Sequence, residues 1–192
     1  MIKIGVTGSI ASGKTTVARM LAEKKYPFFN ADREVKKIYK STIFTKKICK
    51  AFKLKNKKNI KNKVKKIISK DQNCLKILEK IIHPIVRGKL KNFTKANKKK
   101  KIIIFEIPLL IESKLVNNYD KIVFVNSKKN KRLKRYLNRG KNRKMFDLLD
   151  KRQLSPQKKI KFSDYVINNN GSLKNLKKDV KIVQNKIWMK LF

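Results

Sequence analysis

Apolar residues fall in two rhythms along this chain. Short, nearly unbroken apolar runs at 2–6 (IKIGV), 26–30, 102–107 (IIIFEI), 121–125 (KIVFV) and 165–167 are rich in β-branched and aromatic residues. Parallel strands buried on both faces read this way. Between the first two runs the spacing turns helical, with Val17, Ala18 and Leu21 on one face of a helix predicted over 15–23. From 42 to 100 the rhythm is helical throughout, with Ile67, Ile68, Leu75, Leu78, Ile81 and Ile82 at helical intervals and no strand-like run. The alternation of strand and helix predicts an α/β fold with about five parallel strands. Residues 1–41 and 101–192 would form its core, and 42–100 a helical insertion between strands two and three. The lysine-dense stretch 53–66 is read as the loosest part of that insertion.

At 192 residues the chain is long enough to bury one sizeable core without disulfides. Its two cysteines, Cys49 and Cys74, have no metal-ligand or CxxC spacing, so reduced thiols and no structural zinc are expected. No apolar run approaches the roughly 18 residues of a membrane span, and the first apolar run is too short for a signal peptide. A cytoplasmic protein, monomeric or weakly homo-oligomeric, is the expectation.

The formal charge of +42 invites a nucleic-acid reading. Its make-up argues otherwise. The excess is nearly all lysine, 46 against 8 arginines, and it runs from Lys3 to Lys190 instead of gathering on one segment. Specific recognition of phosphates and bases favours arginine forks. Lysine, asparagine and isoleucine are abundant together, and their codons are rich in A and T, so a biased genome accounts for the charge without a specific nucleic-acid partner. The field still draws anionic ligands toward the protein.

The strongest chemical signal is Gly8-Ser9-Ile10-Ala11-Ser12-Gly13-Lys14-Thr15, a complete GxxxxGK[ST] pattern between a predicted strand and a predicted helix. Glycines at both ends let backbone N–H groups approach phosphate oxygens at the positive end of the helix. Lys14 supplies a point charge for the β- and γ-phosphates, and the Thr15 hydroxyl is a ligand for the Mg²⁺ that bridges them. The pattern alone does not separate kinases from GTPases. A guanine-reading loop would need an aspartate where the chain has Asn126-Ser127-Lys128-Lys129-Asn130, and no DxxG switch follows. Asp32, after the second short strand, reads either as a ligand-facing carboxylate at a strand's carboxyl end or as the N-cap of a helix from Arg33. Glu106 reads either as a magnesium-orienting carboxylate or as a charge at a strand terminus.

Five features in order resemble the dephospho-CoA kinases: VTGSIASGKTTVA from Val6, Asn30-Ala31-Asp32, His83-Pro84, IPLLIE from Ile107, and SDYVINNNG from Ser163. The resemblance spans nearly the whole chain. It implies a P-loop kinase core, a helical substrate-binding insertion and a small helical lid within 128–161. It implies ATP as phosphoryl donor with Mg²⁺ as cofactor, and dephospho-CoA as acceptor through its ribose 3′-hydroxyl. Asp32 then matches the catalytic base, Lys14 and Arg139 the charges on the transferring group, and Thr15 and Glu106 the metal site. Gly8 to Thr16 and Asn170 would hold the nucleotide, and Thr7, Asp32, His83, Pro108 and Leu109 the acceptor. Gln153 and Lys159 match a family spacing in the lid. The chain departs from the family at Asn30, where an aspartate is usual, at Gly140, where an acid often follows the lid arginine, and before Gln153, where an arginine is missing. Another small-molecule kinase, a nucleotide-binding regulator or a basic RNA-associated protein are the alternatives.

If the charge is compositional, binding to DNA or RNA will be weak and indifferent to sequence. Filter-binding titrations across salt should give a straight log–log line that is the same for unrelated sequences. Sequence-selective binding at physiological salt contradicts this reading.

Overall fold

The computed structural model describes residues 1–55, 59–71 and 73–189. β1 (Ile2–Gly8) pairs in parallel with β3 (Ile102–Glu106) on one side and with β4 (Lys121–Asn126) on the other. β2 (Phe28–Asn30) joins the free edge of β3, and β5 (Tyr165–Asn168) that of β4, giving the order β2-β3-β1-β4-β5. The five apolar runs are these strands. Every residue of β3 is buried, as its unbroken apolar sequence requires. β2 is shorter than its apolar run because the Tyr26 N–H is already bonded to the Ala22 carbonyl at 2.9 Å. Pro27 has no N–H to offer, so the ladder starts at Phe28.

One face of the sheet is covered by α1 (Lys14–Ala22) and α9 (Leu173–Met189). Val17, Ala18 and Leu21 of α1 meet Ile4, Val6, Ile104 and Val123, and Leu176, Val180 and Ile187 of α9 close the same cluster. On the opposite face Phe105 stacks edge-on against Tyr119 at 5.5 Å, beside a short 3-10 turn at Val116–Asn118.

The chain folds as two compact units: Met1–Asn30 with Asn97–Phe192, and Ala31–Ala96. The second unit is helical: α2 (Ala31–Ile38), α3 (Thr42–Ala51), α4 (Ile60–Lys70) and α5 (Asn73–Ala96). α2 belongs with this unit, so its first residue is Ala31, not residue 42. Ile38, Phe44, Ile48, Ile60, Val64 and Ile82 form its core. Of the stretch 53–66, residues 56–58 lie outside the described ones, and from Ile60 onward it is a helix with Ile60 and Val64 buried. The sheet unit continues after β4 with α6 (Lys129–Leu137), α7 (Arg143–Lys151) and α8 (Pro156–Lys161), which occupy the expected lid stretch. Asn142 and Ser155 cap the last two, accepting from the backbone N–H of Met145 and Lys158. Among the described residues no helix is long and apolar enough to cross a membrane.

Ile104, fully buried in β3, sits between β1 and β2. Ile104→Ala should cost about 3 kcal/mol, the usual scale for truncating a core aliphatic residue. A denaturant melt with unchanged slope and a lower midpoint checks it.

Candidate active site

In a parallel sheet all strands end on the same edge, and here that edge carries the chemistry. Gly8 ends β1, Asn30 β2, Glu106 β3, Asn126 β4 and Asn168 β5. The register sets Glu106 level with Val6 on one side and Asn30 on the other.

Residues 9–13 turn the chain from β1 into α1. Gly13 adopts φ 99°, ψ 19°, and a Cβ there would strike the Asn169 carboxamide nitrogen. At Gly8 a Cβ would lie 2.6 Å from the Val125 carbonyl oxygen and 2.7 Å from Ser12 Oγ. Ala11 has φ 57° without glycine's freedom, a left-handed conformation that costs about 1–2 kcal/mol. Lys14 is buried, its ammonium donating to the carbonyls of Gly8 at 3.0 Å and Ser9 at 2.9 Å. The loop therefore folds around its own cation at the N-terminal end of α1, the end of a helix that favours negative charge. Ser12 Oγ is buried inside the loop with no hydrogen-bond partner among the described residues.

Thr15 Oγ1 donates to Glu106 Oε1 at 2.6 Å, and the Asn30 carboxamide donates to Glu106 Oε2. Glu106 is 2% exposed, so these donors hold a carboxylate that burial would otherwise disfavour. An aspartate at position 30 would set a second negative charge against Glu106, whereas Asn30 sets a donor there. A hydroxyl beside a buried carboxylate offers hard oxygen donors of the kind Mg²⁺ takes. Among the described residues no group of three or more acidic, histidine or cysteine side chains gathers around a common point. Magnesium in nucleotide enzymes is held by one or two protein oxygens with phosphates and water, so these residues fit it.

Two of the five arginines in the lid stretch turn inward. Arg132 is 4% exposed: its Nε donates to the Ser127 carbonyl at 3.0 Å, and its Nη1 to Asp150 Oδ1 at 2.6 Å and to the Ile10 carbonyl at 3.4 Å. Its guanidinium also lies over the Phe146 ring. Arg135 donates to Ser127 Oγ at 3.0 Å and to the Asn169 carbonyl at 2.9 Å. Burial, and then the like charge of Arg139, lowers the Arg135 pKa from its ordinary value. Arg139 and Arg143 are exposed, and the Arg139 guanidinium makes no hydrogen bond or ion pair among the described residues.

Sequence reasoning missed several contacts to the phosphate loop. Asn169 donates to the Ser12 carbonyl at 2.8 Å, while Asn170 accepts from the Lys128 N–H at 2.8 Å. Nothing in three consecutive asparagines distinguishes them. Gln153 Oε1 accepts from the Ile10 N–H at 2.8 Å. Glu112 Oε1 accepts from the Leu154 N–H at 3.1 Å and lies 2.7 Å from the fully buried Lys159 ammonium. That second contact is an ion pair without hydrogen-bond alignment. Burial pulls the Lys159 pKa down against the upward pull of Glu112.

Of the expected acceptor residues, Thr7 Oγ1 donates to the Pro108 carbonyl at 3.2 Å, and Leu109 is half-buried beside it in sequence. Thr16 is exposed on the first turn of α1. Asp32 and His83 belong to the helical unit, both exposed, on α2 and on α5 just before Pro84. α2 begins at Ala31, so Asp32 lies inside its first turn and is not the N-cap of a helix from Arg33. Its carboxylate makes no hydrogen bond or ion pair among the described residues.

The family model for dephospho-CoA kinase matches residues 2–175. The chain belongs to that family. It is 40% identical to the dephospho-CoA kinase of Fusobacterium nucleatum over 185 residues, spanning 92% of this chain and 94% of that one. With the Bartonella quintana dephospho-CoA kinase the identity is 35% over 188 residues, 95% of this chain and 96% of the relative. The structure of the Campylobacter jejuni dephospho-CoA kinase superposes with a TM-score of 0.65 at 27% identity, covering 96% of each chain. The fold is that of a P-loop kinase, and the chain is a kinase of coenzyme A biosynthesis.

Lys14→Ala removes the cation around which the loop is folded. A phosphate-facing role for that cation predicts that turnover falls by at least about 10²-fold and that ATP binding weakens. Steady-state kinetics with calorimetric ATP titration checks both.

Proposed function

We propose that this chain transfers the γ-phosphoryl group of ATP to the ribose 3′-hydroxyl of dephospho-CoA, giving coenzyme A and ADP. The observation that carries the reading is the phosphate loop closed around Lys14 beside the Thr15–Glu106 pair, in a chain of this family. Phosphoryl transfer needs positioning and charge neutralisation more than covalent chemistry. Residues 8–16 form the loop assigned to the phosphates, in which the N–H groups of Ile10, Ser12 and Thr16 are already bonded within the protein, and Asn170 lies on the loop assigned to the adenine. Thr15 and Glu106 would hold Mg²⁺, which when bound neutralises charge on the phosphate oxygens. Arg139, exposed after α6, is assigned to the transferring group. Thr7, His83, Pro108 and Leu109 are assigned to the acceptor.

Asp32 is assigned as the base that orients the acceptor hydroxyl and takes its proton. An exposed carboxylate with no partner among the described residues, two residues beyond Asn30, suits that role. The enzyme is assigned to the cytoplasm as a monomer or weak homo-oligomer. ADP release with dephospho-CoA, adenosine, shikimate and nucleoside monophosphates as acceptors tests the reading. A preference for any of the others overturns it.

Asp32→Asn keeps the shape of the side chain and removes its basicity. A fall in kcat of about 10²-fold or more is expected, with ATP affinity and melting temperature near the parent's. A folded variant with parental turnover would leave the base elsewhere.

A further inference from the structure

The backbone of Ile10, in the middle of the phosphate loop, is gripped on both sides of its Cα by residues far along the chain. Its N–H is bonded to Gln153 Oε1 at 2.8 Å and its carbonyl to Arg132 Nη1 at 3.4 Å. The next residue is Ala11, at φ 57°. A left-handed alanine persists only where its surroundings over-determine it, and the two grips on the backbone of the preceding residue do that. The grips are themselves anchored. Asp150 holds Arg132 at 2.6 Å, and Glu112 holds the Leu154 N–H, next to Gln153, at 3.1 Å. Lys159, fully buried, lies 2.7 Å from Glu112 and fixes the position of that carboxylate.

Resting on the nucleotide-binding reading above, we propose that Gln153 is a positioning residue for the phosphate cradle. Its carboxamide oxygen keeps the Ile10 peptide and the strained Ala11 in the conformation that turns the following N–H groups toward the nucleotide phosphates. It acts through the loop, and its loss should be felt by the nucleotide and not by the acceptor. The same bond makes the seat of the phosphates depend on the turn between α7 and α8.

The test uses the full-length protein and two variants. Gln153→Met keeps the length and apolar bulk of the side chain but has no oxygen to accept the Ile10 N–H. Gln153→Glu keeps an oxygen at the same reach. ADP and ATP dissociation constants are measured by calorimetry without acceptor, then KM for each substrate and kcat, with melting curves for all three proteins. For Gln153→Met, nucleotide dissociation constants and the KM for ATP should rise about tenfold, the scale of one lost hydrogen bond at a strained site. The KM for dephospho-CoA should stay within about twofold, and kcat should change less than the KM for ATP. Gln153→Glu should bind ADP within about threefold of the parent, because the accepting oxygen remains. Unchanged nucleotide affinity in a folded Gln153→Met protein overturns the proposal. So does a parallel loss toward both substrates, or a Glu variant that binds ADP no better than the Met variant. If the parent binds ATP but prefers another acceptor, the functional assignment fails while the nucleotide constants still judge Gln153.

Discussion

The sheet's parallel register is the constraint on which the rest of the site depends. Because β1, β2 and β3 run the same way, their last residues fall on one edge, and Glu106 comes level with Val6 and Asn30. A single-residue slip of β3 would turn Glu106 to the opposite face and leave Thr15 without its carboxylate. The buried faces of β3 oppose such a slip. Ile102 and Ile104 fill the cluster under α1 and α9, and Phe105 is stacked on Tyr119 on the other side. Apolar packing thus fixes the height of a carboxylate, and the carboxylate fixes the hydroxyl at the start of α1.

From the other side the loop is held by polar contacts. Asn169 reaches it from the end of β5, Arg132 from α6 and Gln153 from the end of α7. Each is buried or half-buried, so each bond is made where water does not compete for the same donor. In a chain with 12 acids against 54 basic residues, acidic side chains recur in this small volume: Glu106, Glu112 and Asp150 all brace the loop or the residues that touch it. The excess of lysine has not displaced them.

Much of this was legible in the sequence, and the rest was hidden for physical reasons. Strands showed because burial on both faces demands unbroken apolar runs, and the phosphate loop because its glycines answer to backbone geometry within a few residues. The length of β2 was less visible, since it hangs on which N–H groups near Tyr26 and Pro27 are already spent. The onset of α2 was misread because Asp32 is as suited to a first turn as to a cap. Gln153 meets Ile10 across 143 positions, and no local pattern carries a pairing of that span. Asn169 differs from its two neighbours only in where the end of β5 points it.

Burial also sorts the lysines by accessibility. Among the described residues only Lys14 and Lys159 are buried, at 8% and 0% exposure. One lies in the loop and the other behind the turn that supports it. An amine-directed reagent reacts first with free, solvated ammonium groups, so extensive acylation would strip most of the positive field while sparing these two. The exposed charge of this protein and its two buried ammonium groups are therefore chemically separable.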